Sequence, residues 1–186
     1  RAGQPRSSAS ARRPRGASCV STREAAAGKP RLGSSRPRDS QRRVMPFYWD
    51  TSALLALIFD EPIGADLRRM TLKKGALPGY TSFFSFVEME SAYSRRISEG
   101  SLKSAQLPEL RLKAQKLESS LGTLWPDEET LRDARHLVLE QGLRPGDALQ
   151  LASARMLLRG GDEAAFVCLD KKLSQAAQAA GLAPAC

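Results

Sequence analysis

The sequence predicts an α/β domain of three layers, with helices on both faces of a central, mostly parallel β-sheet. Short apolar runs alternate with stretches of helical periodicity from Phe47 onward, and strands that are separated by helices build parallel sheets covered on both faces. Two of the apolar runs, "FYWD" and "FVCLD", end in an aspartate. Because sites in such sheets form at the carboxyl ends of the strands, these aspartates are the first candidates for a functional site.

A basic tail precedes this domain. Residues 1–44 hold twelve of the 29 Lys and Arg residues, two of the 20 acids, and many Ser, Gly, Ala and Pro residues. Such a segment buries too little apolar surface to offset its ordering entropy, so it is predicted to be disordered. Residues 45–186 hold 17 basic and 18 acidic residues and are nearly neutral, although the whole chain has a net charge of +9. The net charge of the chain therefore gives no reason to expect nucleic-acid binding by the folded part on bulk electrostatics alone.

Three origins of the tail are open. It has the composition of a nucleic-acid-binding arm or of a transit peptide, or it is upstream sequence that is not translated, with Met45 as the natural start. We favour the last interpretation, which a native mass that includes residues 1–44 would rule out. No stretch approaches the ~18–20 consecutive apolar residues of a membrane span, and no signal peptide is visible. A soluble, cytoplasmic protein with no membrane contact is expected.

Cysteine and histidine usage argues against several classes of site. The three cysteines, Cys19, Cys168 and Cys186, are widely spaced and form no CxxC pair, which predicts neither a disulfide framework nor a zinc site. The one histidine, His136, lies on the polar side of a predicted helix. Histidine-based acid–base catalysis and Ser-His-Asp triads are therefore not expected.

The first half of the domain begins with a buried strand and continues mainly as helices. Apolar spacing of three and four residues predicts the helices, and Pro and Gly residues mark the breaks between them. The predicted order is a strand over 47–49, helices over 52–59 and 63–74, a short strand and turn over 76–82, and a long helix over 83–97 that stops near Gly100.

The second half alternates helices and strands. An acid-rich first turn suits the N-terminal dipole of the helix over 127–141, and a glycine, Gly181, ends the final helix. The predicted order is a helix over 102–120 that ends at Gly122, a strand over 123–126, helices over 127–141 and 144–158, a strand over 164–170, and a helix over 171–182.

Three aspartates are predicted to meet at one edge of the sheet. Asp50 and Asp170 end strand-like runs, and Asp147 opens a helix ahead of a core-facing stripe that continues with Leu151. Singly, each is more simply a helix cap, and Asp147 with Gln150 resembles a capping box. Together they would repel one another unless a cation lay between them. Oxygen ligands without histidine or thiolate favour Mg²⁺ or Mn²⁺.

A glutamate is expected as a fourth acid, and "SFFSFVEMESAY" offers two. Helical periodicity places Glu90 within the apolar stripe of Phe86 and Ile97 and so favours it. Phe84 flanks Glu88 on its own face, however. The residues alone leave the choice open.

Four segments resemble a known family. "WDTSALLAL", "SFFSFVEMESAYSRR", "GDALQLASA" and "FVCLDKKLSQAAQAAGL", in this order, are similar to the PIN-domain ribonucleases of the VapC toxin type from Met45 to the end. The resemblance implies a PIN-like α/β/α fold over residues 45–186. It implies catalytic, metal-binding roles for Asp50, Glu88, Asp147 and Asp170. It selects Glu88 because it fixes the register of the flanking residues. Cys168 departs from the pattern, since the family often carries Thr or Ser there.

The resemblance also implies a function. Such enzymes hydrolyse RNA with Mg²⁺ or Mn²⁺, are neutralised by a small antitoxin protein, and commonly form homodimers. Five further residues beside the acids are candidates for supporting roles: Thr51 and Ser52 for orienting the ligands, and Arg144, Lys171 and Lys172 for contacting phosphates. Two alternatives stay open, a PIN-like module that binds RNA or protein without cutting, and a generic α/β domain whose aspartates are caps.

Overall fold

The computed structural model describes residues 45–73, 79–161 and 163–185, and the predictions for the tail and for residues 74–78 lie outside these ranges. Its strands form one parallel sheet in the order β3-β2-β1-β4-β5. This confirms the predicted fold class. The strands are β1 (Phe47–Trp49), β2 (Gly79–Ser82), β3 (Leu121–Leu124), β4 (Ala165–Val167) and β5 (Ala183–Pro184).

Helices connect the strands, as parallel pairing requires. They are α1 (Thr51–Ile58), α2 (Pro62–Lys73), α3 (Phe84–Ser98), α4 (Leu107–Glu118), α5 (Glu128–Gln141), α6 (Pro145–Arg159) and α7 (Lys171–Ala179). None of the helices in the described ranges combines the length and the apolar character needed to cross a membrane.

The core is divided between the two faces of the sheet. Successive side chains of a strand point to opposite faces, so Phe47 and Trp49 join one apolar cluster and Tyr48 joins the other. The first cluster takes side chains from α1, α2, α3 and α4, and the second takes them from α5, α6 and α7. The two clusters make the predicted three layers.

Two predicted element boundaries are wrong. The helix predicted from Leu102 begins only at Leu107, after a 3₁₀ turn over Ser104–Gln106, because Pro108 fits only the first turn of an α-helix. The strand predicted over 123–126 lies instead at Leu121–Leu124. Gly122, predicted as a helix end, is inside this strand, where a Cβ would lie 2.6 Å from the ring of Tyr80.

Two further predictions at strands differ from the structure. The strand predicted over 164–170 ends at Val167, and the chain bends before Asp170. The strand β5 was not predicted, since "LAPA" is short and contains a proline. Its position at the end of the strand order explains this composition, because proline is tolerated on edge strands.

Candidate acidic site at the carboxyl edge of the sheet

Asp50 is the buried acid at the centre of this edge. It directly follows β1 and its backbone N–H donates to the carbonyl of Val167 at 2.9 Å, which ties it to β4. Its side chain is only 5% exposed. The Ser52 N–H and hydroxyl donate to Asp50 Oδ2 at 3.0 and 2.5 Å, so Asp50 also caps α1.

Burial raises the pKa of Asp50, and the hydrogen bonds from Ser52 and from the Cys168 thiol lower it only in part. The Cys168 Sγ lies 3.5 Å from Asp50 Oδ2. A thiol is a weaker donor than a hydroxyl, but here it occupies the position from which a hydroxyl would donate. Cys168 therefore still contacts the site, although it departs from the family pattern.

Glu88 reaches the same edge from α3. Thr51 Oγ1 and Gln150 Nε2 donate to Glu88 Oε2 at 2.5 and 2.6 Å. Glu88 Oε1 lies against Gly146, where a Cβ would stand only 2.6 Å from it. Burial raises the pKa of Glu88, and the charges of Asp50 and Asp147 raise it further, against the two hydrogen bonds.

Glu90 lies on a different face of α3, so its predicted place in the apolar stripe is wrong. Its side chain is half-exposed and accepts two hydrogen bonds from Arg111, at 2.9 Å from Nε and 2.5 Å from Nη2. These bonds lower the pKa of Glu90, whereas the pKa of Glu88 is raised. Of the two glutamates, the structure brings Glu88 to Asp50 and Asp147.

Asp147 lies in the first turn of α6. Arg144 occupies the N-cap position without a side-chain cap bond, so the predicted capping box of Asp147 and Gln150 is wrong. Burial raises the pKa of Asp147, as do the charges of Asp170 and Asp50, while Arg144 and Lys172 lower it. Asp147 is thus close enough to both acidic and basic side chains for their charges to change its pKa.

Asp170 is the exposed member of the set. It follows β4 and caps α7 by accepting the Leu173 N–H at 2.8 Å. Its own N–H donates to Cys168 Sγ at 3.2 Å. The cap interpretation therefore holds for Asp50 and Asp170, and fails for Asp147.

Two predicted orienting residues each contact an acid. Thr51 donates to Glu88, and Ser52 donates to Asp50 while accepting the Leu169 N–H at 3.0 Å. The three predicted phosphate contacts, Arg144, Lys171 and Lys172, are exposed. Lys172 Nζ donates to the carbonyl of Gly142 at 2.7 Å, which holds it beside the start of α6.

The sequence reasoning missed Gln150 as a member of the site. This buried amide donates to Glu88 and to Thr51 Oγ1 at 2.8 Å, and its Oε1 accepts the Tyr48 hydroxyl at 2.6 Å. A signal was present, because Gln150 is three residues after Asp147 and so lies on the same helix face. A glutamine on a core-facing stripe needs polar partners inside the protein.

Comparison with known proteins identifies the family. Residues 47–178 match the PIN domain family. The chain belongs to the PIN-domain family. No curated protein matches it.

This PIN domain is similar to several solved structures at low sequence identity. VapBC2 from Rickettsia felis, bound to a DNA fragment from its promoter, is 16% identical with a TM-score of 0.50, over 70% of this chain and 92% of that one. PAE2754 from Pyrobaculum aerophilum is 20% identical with a TM-score of 0.49, over 71% of this chain and 79% of that one. A toxin–antitoxin complex from Klebsiella pneumoniae is 16% identical with a TM-score of 0.48, over 67% of this chain and 87% of that one. At these identities only the fold is compared.

The acids of this PIN domain suit a hard cation in their chemistry, but they are not gathered into a finished ligand set. Carboxylate oxygens are the ligands that Mg²⁺ and Mn²⁺ prefer, and the charges of Asp50, Glu88 and Asp147 act on one another. Within the described ranges, however, no three His, Cys, Asp or Glu side chains are grouped closely enough to hold a metal. Any metal bound here must draw in these side chains or be held partly through water.

Proposed function

We propose that this PIN domain is a metal-dependent endoribonuclease toxin of the VapC type. The observation that supports it best is the approach of Asp50, Glu88 and Asp147 at the carboxyl edge, to which each comes from a different part of the fold. The charge of Asp50 raises the pKa of both Glu88 and Asp147, and the charge of Asp147 raises that of Glu88. Like charges are brought together in this way mostly at functional sites. Domains of this family are generally nucleases.

Asp50, Glu88, Asp147 and Asp170 would hold Mg²⁺ or Mn²⁺. When bound, such an ion lowers the pKa of a water molecule and neutralises charge on the phosphate. Attack by water does not use the RNA 2′-hydroxyl, so the expected products carry 5′-phosphate and 3′-hydroxyl ends. Cyclic phosphate products would exclude this route.

The chain's own residues prepare the carboxylates. Thr51 and Gln150 fix Glu88 Oε2, and Ser52 and Cys168 fix Asp50 Oδ2. A ligand whose orientation is set by hydrogen bonds loses less freedom when it binds a cation. Arg144, Lys171 and Lys172 would contact the phosphates of the RNA on the α6 and α7 side.

A small antitoxin protein, a homodimer and a cytoplasmic location complete the proposal. They rest on the family resemblance of the four sequence segments, and the VapBC2 structure from Rickettsia felis has the same fold. A neighbouring reading frame that encodes a small DNA-binding protein, co-purifying with this chain, would support the antitoxin.

The direct test is RNA cleavage by the full chain with Mg²⁺ or Mn²⁺, with and without a chelator. We expect cleavage that stops with chelator and in Asp50→Asn, while RNA binding by that variant remains. Preserved cleavage in Asp50→Asn would refute the site.

A second candidate function is binding of RNA or protein without cleavage. It is favoured by the lack of a grouped three-ligand set within the described ranges and by the thiol at Cys168. The two functions differ in one readout, since the binding module retains RNA affinity but releases no product under any metal.

A further inference from the structure

Two aromatic side chains stack on each other at the sheet edge that carries the acids. Phe83 follows the last residue of β2 and Trp125 follows the last residue of β3. Their ring centroids are 4.1 Å apart at an interplanar angle of 18°. Trp125 is 63% exposed and Phe83 41%, so the pair leaves ring surface open to solvent.

Phe83 directly precedes α3, the helix that carries Glu88. Phe83 and Val87 are four residues apart and share one row of the helix surface, and Phe84 and Glu88 share the adjacent row. The second row is tied to α6, since a Cβ on Gly146 would lie 3.6 Å from Phe84 Cε1 and 2.6 Å from Glu88 Oε1. The exposed apolar row is thus next to the acidic row on the helix, at a rotation of about 100°.

The strand order sets the distance from Asp50. Neighbouring strands are about 4.8 Å apart, and β2 and β3 are the first and second strands beside β1 on this side. The ends of β2 and β3 therefore lie about 5 and 10 Å from the end of β1. A strand of stacked nucleotides covers such a distance in about two or three residues, at 3.4 Å each.

Positive charge lies near the acids as well, and Lys172 is on the other side of β1 from the aromatic pair, because it lies in the first turn of α7, which follows β4. Arg144 and Lys172 lower the pKa of Asp147 and so lie near it, whereas Phe83 and Trp125 lie toward β3. A polynucleotide that crosses this edge would meet cations, then carboxylates, then an open aromatic face. We propose that Trp125, backed by Phe83, is a stacking platform for an unpaired base of the RNA strand. This proposal rests on the nuclease function and specifies a single-stranded segment as its substrate.

A second copy of the chain is the less favoured occupant of this surface. A specific protein interface takes about 20–30 residues from each partner. The large exposed hydrophobic side chains that the structure describes at the ends of β2 and β3 and in the first turn of α3 are Phe83, Val87 and Trp125. Base stacking needs only one open ring, and it tolerates different bases because every base has a π-face.

The test uses full-length Asp50→Asn protein, which the nuclease function predicts to bind without cutting, and a fluorescein-labelled single-stranded RNA decamer of mixed sequence. A series of decamers carries one abasic residue at successive positions. Trp125→Ala on this background should weaken binding by about 5- to 100-fold, the usual effect of losing one stacked base. Trp125→Phe should restore most of the affinity. Leu112→Ala, which removes an apolar residue on α4 that is 51% exposed, should change nothing.

The abasic series isolates the stacking contact. At one position, the abasic residue should weaken binding to the protein that retains Trp125 as much as Trp125→Ala weakens binding to the intact decamer. The Trp125→Ala protein should bind this abasic decamer with no further loss of affinity. Equal affinity in Trp125→Ala, or losses that add in full, would overturn the platform. So would loss of a dimer in sedimentation by Trp125→Ala with unchanged RNA affinity, which would assign the surface to a second copy.

Cleavage by the chain with its native Asp50 is measured separately. Cleavage without an effect of Trp125→Ala on binding would refute the platform alone. Absence of cleavage under Mg²⁺ and Mn²⁺ would refute the nuclease function.

Discussion

Two glutamates of α3 differ in what surrounds them, although only Met89 separates them. Glu88 accepts hydrogen bonds from two uncharged groups, Thr51 and Gln150, and lies near two other acids. Glu90 has its charge compensated by Arg111 at the surface. Periodicity favoured Glu90 because it treats a helix as having one buried face. At a sheet edge α3 packs on two sides, and only the register taken from the resemblance selected Glu88.

The first prediction concerns this pair. Glu88→Gln should lower RNA cleavage by about a hundredfold or more, as when one group that stabilises transition-state charge is lost. Glu90→Gln removes only an exposed ion pair, which contributes at most about 1 kcal/mol, and should cleave normally. Initial cleavage rates of the two purified variants measure this. Loss of activity in Glu90→Gln but not in Glu88→Gln would assign the ligand to Glu90 and contradict the prediction.

The second prediction concerns the buried amide of Gln150. Gln150→Leu removes the Gln150 acceptor of the Tyr48 hydroxyl and one of the two donors to Glu88 Oε2. It should therefore destabilise the protein by about 1–3 kcal/mol. Tyr48→Phe on this background should recover part of the loss, because it removes the hydroxyl that has lost its Gln150 acceptor. Urea denaturation of the two single variants and the double variant gives the coupling. Strict additivity would mean that the hydrogen bond contributes little.

At the scale of elements, the helices with clear start signals were predicted well. Asp127 caps α5 by accepting the Thr130 N–H at 2.7 Å, and Gly142 ends it with a left-handed φ of 59°. Both signals are local in sequence. The boundaries that failed, at β3 and β5, depend instead on pairing with strands far away in the chain, which local patterns do not encode.

The third prediction concerns the start of α6. Gly146→Ala should not reduce stability, since alanine is the better helix former by about 1 kcal/mol. Its Cβ would, however, push on Glu88 Oε1, 2.6 Å away, while Thr51 and Gln150 hold the other oxygen. Cleavage should therefore fall although the thermal midpoint does not. A variant that loses stability and activity in parallel would show that the glycine serves packing instead.

At the scale of the whole molecule, the acidic edge should make stability depend on pH. The pKa values of Asp50, Glu88 and Asp147 are raised in the fold. A raised carboxyl pKa favours the folded state while the group is protonated. That contribution is full below the ordinary values of 3.8 and 4.5 and is lost as pH rises through the raised folded-state values. The paired Glu90 has the opposite sign, since its lowered pKa adds stability at higher pH.

The sheet edge as a whole was predictable because parallel strands place their carboxyl ends together, whatever lies between them in the chain. The strand pattern alone predicted Asp50 and Asp170 at this edge. The hydrogen bonds that occupy their oxygens, from Ser52 and Leu173, were not predictable, because they depend on rotamers that packing decides.

The final prediction combines these charges with metal binding. In chelator, Asp147→Asn should raise the thermal midpoint of the full chain at pH 8, where the carboxylate is ionised, and should have little effect at pH 4.

Mn²⁺ or Mg²⁺ at about a hundred times its Kd should stabilise the unmutated chain by about 2.7 kcal/mol, which is roughly 5–10 °C for a chain of this length. This increase in the thermal midpoint should vanish in Asp50→Asn. It should shrink at pH 4, because protons then compete with the metal for the carboxylates. Glu90→Gln serves as the matched control, since it alters a carboxylate of the same helix outside the acidic edge. A metal-induced shift that is equal at both pH values and in Asp50→Asn would mean that the ion binds elsewhere.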